Sequence, residues 1–286
     1  MKIIESHIVP AVSDKIRLQE YAATIFSSIT SRSGIKKAIK RELILLNGVP
    51  AKTSDWISEG QRIDLLKSSS DKKIFELGLE VLYEDQDLAI IKKPSGYPTS
   101  GNFFKTIENA LPYNLEESKH LDTLSAALPV HRLDSPTSGI LLCAKTNTAL
   151  VGLQAGFEKK EIRKIYTALV HGELRESKHI KLPIDFKSSE TLIEKLELFK
   201  IDSSNYSLVK ATPLTGRTHQ IRIHLSKSGY PIVGDKIYGV EERGVFKNRQ
   251  LYLFASGIVF DHPRNGSVLK FDLPLPKKFR NLKNLG

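Results

Sequence analysis

Apolar residues near the start of the chain recur at helical spacing, and further along they gather into strand-like runs. Within residues 14–29, Leu18, Tyr21, Ala22, Ile25 and Ile29 share one face, and Asp14 stands where a helix N-cap would. A second helix is predicted after Ser31-Arg32-Ser33, with Ile35, Ile39 and Leu43 along its stripe and Lys36, Lys37, Lys40 and Arg41 off it. Residues 43–49 form an apolar run interrupted by Asn47-Gly48, a pair suited to the positive φ angles of a tight hairpin. Residues 61–66 read as a closing strand. The polar run Lys67-Ser68-Ser69-Ser70-Asp71-Lys72-Lys73 has the composition of a flexible linker. After it, residues 79–83 and 88–91 flank a polar turn and predict a hairpin. Ile140-Leu141-Leu142-Cys143-Ala144 is a continuous apolar run, and residues 164–171 alternate with Lys164, Tyr166 and Ala168 on one face. For residues 218–228 the spacing of Ile221 and Leu225, with Gly229 and Pro231 as stop signals, predicts a helix. A strand over 219–225, with Arg222 on its polar face, fits the same residues. The pattern divides the chain into a small domain (1–68), a linker (69–78) and a larger domain (79–286).

Composition narrows the function classes. At 286 residues and 40% hydrophobic, the chain can bury a substantial core in about two domains. Its formal charge of +11 favours a polyanionic partner, either nucleic acid or an anionic membrane surface. No apolar run approaches the roughly 18–20 residues needed to span a bilayer, and Glu5 breaks the opening apolar run where a secretory signal would continue it. A cytoplasmic protein is expected. Cys143 is the single cysteine, which excludes an intrachain disulfide and a multi-cysteine zinc site; its apolar neighbours suggest a buried thiol.

Charge segregation is strongest between Arg32 and Arg41, where five of ten residues are basic and none is acidic. An ordinary solvated helix face mixes both signs. Arg32, Lys36, Lys37, Lys40 and Arg41 are therefore candidate phosphate contacts. In the larger domain, His131-Arg132-Leu133-Asp134-Ser135-Pro136-Thr137-Ser138-Gly139 sets a carboxylate in a turn of small polar residues at the edge of a strand. Such a group can reach a substrate, or can simply bond nearby backbone N–H groups. His219 and His224 do not form a metal pair: five residues of helix turn them about 140° apart, and a strand points them to opposite faces. Ser138 lacks the Gly-x-Ser-x-Gly elbow of a hydrolase nucleophile.

The segment His-Arg-Leu-Asp-x-x-Thr-Ser-Gly closely resembles the signature of the RluA-type pseudouridine synthases. Three further segments carry the same resemblance, which spans residues 79–275. They are Lys93-Pro94-Ser95-Gly96, Lys164-Ile165-Tyr166-Thr167-Ala168-Leu169-Val170-His171-Gly172, and Pro213 to Leu225 with its continuation through Gly234-Asp235 and Tyr238-Gly239. Two positions depart from the family: Lys92 where Asn is usual, and Phe254 where His is common. Residues 17–66 are similar to an S4-type RNA-binding domain, on two short helices, a basic second helix, Asn47-Gly48 and Gly60.

The resemblance implies an α+β chain: a pseudouridine synthase fold with a mixed, mostly antiparallel sheet, flanking helices and a catalytic cleft, preceded by the small S4-like α/β domain. It implies uridine isomerisation in structured RNA, either ribosomal RNA, of the large subunit in particular, or transfer RNA. Asp134 would be the nucleophile, Tyr166 the catalytic tyrosine beside it, helping to remove the C5 proton or stacking on the base, and Arg222 the cationic partner of Asp134. Arg132 would fill the gap left by a flipped base, and His131, Arg217 and His219 would contact substrate. The reaction adds and removes nothing, so no cofactor and no metal are expected; the partner is RNA, and the protein a monomer without membrane attachment. The alternative is a non-catalytic RNA-binding or ribosome-assembly factor. It explains the charge equally well and the Asp134, Tyr166 and Arg222 constellation poorly.

Overall fold

A computed structural model describes residues 3–11, 15–29, 31–66 and 74–285. The chain forms two compact units, one holding the described residues up to 66 together with Glu117–Ala126, the other residues 74–116 and 127–285. Residues 69–73 of the expected linker, and Asp14, lie outside the described residues; residues 74–78 of that linker belong to the larger unit, where the Phe75 N–H donates to the Asn109 carbonyl at 2.9 Å.

The smaller unit contains β1 (Ile3–Ile8), α1 (Leu18–Ile25), α2 (Arg32–Lys40), β2 (Ile44–Leu46), β3 (Val49–Pro50) and β4 (Arg62–Leu66). Its strands form an antiparallel sheet in the order β1-β4-β2-β3. Leu18 and Ala22 of α1 and Ile35 and Ile39 of α2 pack with Ile44, Ile63 and Leu65 from the sheet. The first helix is shorter than its periodicity predicts. It stops at Ile25 because the backbone N–H groups of Ser27 and Ser28 donate to the Glu5 carboxylate, at 2.8 and 3.2 Å, instead of continuing the helical ladder. The serines' hydroxyls bond the same carboxylate. In α2, Ser31 caps the first turn by accepting from the Gly34 N–H at 3.1 Å. Leu43 falls beyond the helix end at Lys40. The β2–β3 turn takes the predicted form, with Asn47 and Gly48 at φ 53° and 81°.

The larger unit contains β5 (Glu80–Glu84), β6 (Leu88–Lys93), α3 (Ile107–Asn114), β8 (Ser138–Thr146), α4 (Asn147–Glu158), β9 (Arg163–His171), β10 (Lys178–Ile180), β11 (Thr191–Ile201), β12 (Ser204–Pro213), α5 (Gln220–Lys227), β13 (Leu253–Asp261), β14 (Val268–Asp272) and α6 (Lys277–Arg280); β7 (Thr123–Pro129) begins in the segment grouped with the smaller unit and ends in this one. A long sheet runs β10-β11-β12-β9-β13-β8-β6-β5, with β14 branching from β13. The β8–β13 pair is parallel and the neighbouring pairs in this order are antiparallel, the mixed, mostly antiparallel α+β arrangement expected. Residues 140–144 are buried throughout, which explains a run without polar alternation. Gly139 admits the parallel neighbour: its φ is 120°, and a Cβ there would stand 2.2 Å from the Ala255 carbonyl oxygen. Residues 220–227 are helical, which settles the helix-or-strand alternative.

Candidate active site

The turn that carries Asp134 is held from below by β6. Lys93, at the end of that strand, is completely buried, and its ammonium donates to the carbonyls of Pro94 (3.0 Å), Asp134 (3.3 Å), Ser135 (3.2 Å) and Thr137 (2.9 Å). Burial pulls its pKa down to about 8, although the charge of Asp134 acts the other way. Ser95 donates to the Pro136 carbonyl, the Gly96 N–H to Ser135, and Thr99 bonds Leu133 through both backbone groups. The Lys-Pro-Ser-Gly segment is thus the cradle of the carboxylate's loop.

Arg222 comes from α5, whose entry is fixed by Gln220. The Gln220 amide oxygen accepts from the Arg217 N–H and the Thr215 hydroxyl, while its nitrogen donates to the Glu190 carbonyl. Buried Arg222 grips buried Asp235 with two hydrogen bonds, Nε to Oδ2 at 2.8 Å and a terminal nitrogen to Oδ1 at 2.7 Å. Its remaining terminal nitrogen reaches Asp134 Oδ2 at 3.4 Å. Burial works against the charge on Arg222, but Asp235 and then Asp134 outweigh it and raise its pKa. Burial likewise opposes ionisation of Asp235, and Arg222 with two backbone N–H donors more than compensates, so that carboxylate is held below its usual range. His219 occupies the left-handed region at φ 53° just before α5. Its Nε2 lies 3.8 Å from Asp134 Oδ1, and its Nδ1 is 3.0 Å from the Tyr238 hydroxyl. A Tyr238 O–H donated to Nδ1 would leave Nε2–H facing the carboxylate.

Asp134, Tyr166, Arg222, Arg132, His131, Arg217 and His219 all line one cavity of about 720 Å³ in the larger unit. Its wall carries six arginines and lysines against three carboxylates, so its electrostatic character suits a polyanion. Tyr166 lies on β9, paired to Ala211 and Ala255 on the two sides. Burial, and then the charge of Asp134, push its phenol well above its ordinary pKa, so it stays protonated. His131 is held at its edge: Nε2 accepts the Leu142 N–H at 3.1 Å and the ring packs on Phe157. Burial and then Lys164's charge lower its pKa to about 3, so it is a neutral imidazole. Arg132 is exposed at the cavity, and Arg217 donates to the Ser188 carbonyl at 3.2 Å. His224 turns away from His219, with Nε2 at Ser189 and the Leu182 carbonyl and Nδ1 at Thr191.

Lys36, Lys37, Lys40 and Arg41 belong to the smaller unit, exposed on and just after α2. Arg32 there pairs with Glu20 at 3.2 Å. Two groups of the site escape sequence reasoning: Asp235, the bidentate partner of Arg222, and Lys93. Both lie in segments that carry the family resemblance, but a partner thirteen residues away across a helix and a turn has no periodic signature.

A family model described as RNA pseudouridylate synthase matches residues 87–227. The chain is 30% identical to an uncharacterized RNA pseudouridine synthase of Aquifex aeolicus, over 99% of this chain and 97% of that one. It is 34% identical to the ribosomal large subunit pseudouridine synthase C of Vibrio parahaemolyticus, over 86% and 82% of the two chains. Among solved structures it resembles human RNA pseudouridylate synthase domain containing 1, with a TM-score of 0.56 and 26% identity over 70% of this chain and 84% of that one.

Proposed function

The chain belongs to the RNA pseudouridylate synthase family, and we propose that it isomerises uridines of large-subunit ribosomal RNA with Asp134 as its nucleophile. The observation that carries the assignment is the placement of the Asp134 carboxylate in a cation-lined cavity, 3.4 Å from an arginine that is itself locked on a second carboxylate. An arginine fixed in this way orients the carboxylate of a nucleophile toward the cavity. The family relatives named for the large ribosomal subunit support that RNA over transfer RNA.

The reaction breaks the N1–C1′ bond, turns the uracil and forms the C5–C1′ bond. The proton leaves C5 and one is gained at N1, so the balance closes without a cofactor. A uridine inside an RNA fold must be flipped out at a cost of a few kcal/mol. Contacts of the RNA around that uridine with the cations lining the cavity offset that cost. Arg132, exposed and planar, takes the vacated place in the RNA. Tyr166 remains a neutral phenol and offers the ring a packing surface; a protonated phenol is no base. Arg217 and His219 hold the nucleotide from the α5 side, and His131 keeps the Asp134 segment in register with β8.

Mapping pseudouridine in large-subunit ribosomal RNA from a strain lacking the gene tests this. At least one site should revert to uridine and be restored by the wild-type chain but not by Asp134→Asn. In vitro that variant should fall below about a thousandth of wild-type turnover while RNA affinity stays within a few-fold. An unchanged ribosomal pattern with a loss in transfer RNA would overturn the substrate, and an active Asp134→Asn would overturn the nucleophile.

A further inference from the structure

Lys164 stands two residues before Tyr166 on the same face of β9, and its side chain lines the cavity. Among the described residues its ammonium has no hydrogen bond and no carboxylate partner; the influence on its ionisation is burial, which lowers its pKa. Nζ lies 5.4 Å from the centre of the Phe157 ring and faces Gly216, where an added Cβ would come within 3.8 Å of it. The charge of Asp134 acts on Tyr166 and Lys93 but not on Lys164, so this cation stands apart from the Asp134–Arg222 pair. Arg222, in contrast, is matched by Asp235, and Arg217 by a carbonyl.

A half-buried ammonium without a counter-charge is costly, and a ligand that brings an anion removes the cost. Uracil is neutral; the anion that every nucleotide brings is its phosphate. We infer that Lys164 binds a backbone phosphate adjoining the flipped uridine, across the gap left open by the missing side chain of Gly216. The inference rests on the reading that this cavity receives a flipped nucleotide. It adds a substrate-binding group on the β9 wall, opposite in role to the nucleophile: Lys164 fixes the backbone while Asp134 acts on the nucleoside.

The test uses the full chain and total RNA carrying C5-tritiated uridine from a strain lacking the gene, so the target need not be known. Tritium release gives kcat and KM at several salt concentrations, and filter retention gives affinity for the same RNA. Lys164→Gln should raise KM about ten-fold, the size of one charge-assisted hydrogen bond, with a smaller effect on kcat. It should also flatten the log–log salt dependence of binding by about 0.7, as expected when one single-strand phosphate is no longer neutralised. Lys164→Arg should recover most of both, and Lys164→Gln should melt no lower than wild type. A salt slope unchanged in Lys164→Gln would overturn the inference, as would an Lys164→Arg variant as impaired as Lys164→Gln. Tritium release by the wild type reports on the isomerase reading separately, and the binding slope reports on Lys164 whatever that release shows.

Discussion

Arg222 can offer one arm to Asp134 because Nε and its other terminal nitrogen are fixed on Asp235 at 2.8 and 2.7 Å. A planar fork held this way points its third donor along one line, which a flexible ammonium cannot do. Asp235→Asn should therefore lower kcat by about 10²-fold, the cost of displacing a catalytic group by about an ångström, with KM changed far less. Arg222→Lys should lose at least as much and should also destabilise the fold, because it breaks a buried bidentate pair. Near-normal kcat in Asp235→Asn would show that Asp134 does not depend on the orientation of Arg222. Lys93 gives a prediction in pH. Its folded pKa of about 8 lies below its ordinary value of 10.5, so the unfolded chain binds more protons between those limits. Stability contributed through Lys93 is thus lowest below pH 8 and rises as pH climbs toward 10.5. The stability of wild type relative to Lys93→Met should increase by on the order of 2 kcal/mol between pH 7 and 9.5. A flat difference in denaturant titrations at the two pH values would rule this out.

At the scale of elements, what the sequence made legible was whatever a single segment decides. The Asn47-Gly48 hairpin, the apolar run 140–144 and the strand carrying Tyr166 follow from local spacing and are found, and the helix carrying Arg222 is one of the two readings its spacing allows. The misses arise where distant residues intervene. The α1 helix ends early because Glu5, on β1, captures Ser27 and Ser28. The β1 strand itself went unread, since its alternation is shallow and its pairing with β4 bridges nearly sixty residues. The parallel register of β8 on β13 is equally invisible locally, yet it sets where the Asp134 turn ends. Gly139 is its keystone: at φ 120°, with an added Cβ only 2.2 Å from the Ala255 oxygen, it has room for no side chain. Gly139→Ala should cost more than about 3 kcal/mol, adding backbone strain to the opening of a buried strand pair. Activity should fall with it, because Phe254–Ser138 and Ala255–Gly139 are the pairs that hold the loop's outgoing strand. A thermal melt within a few degrees of wild type would show that the pair can slide to accept a methyl group.

For the whole molecule, the net charge of +11 is shared between two compact units, and every group assigned to chemistry lies in the larger one. The change from helical to strand periodicity and the polar run at 67–73 suggest a boundary there, but no local pattern signals that Glu117–Ala126 groups with the smaller unit. Which basic residues are free to meet RNA was not, because that depends on side-chain pairing: Arg32 belongs to the same cationic run but is engaged by Glu20. Lys36, Lys37, Lys40 and Arg41 project from the face of α2 opposite Ile35, Ala38 and Ile39, where replacement removes charge without touching the core. Changing all four to Ala should leave the melt of the chain close to wild type and weaken binding to large structured RNA. Each phosphate left without its cation should flatten the log–log salt dependence by roughly 0.7–0.9, so the slope should fall by up to about three and a half. Turnover at saturating RNA should survive, because these four contacts lie outside the cavity that receives the flipped nucleotide and the Asp134–Arg222–Asp235 geometry does not involve them. If the slope is unchanged, the small unit's basic helix is only a solvated face. The excess charge that draws RNA in would then have to be sought on the larger unit, among the cations around the cavity.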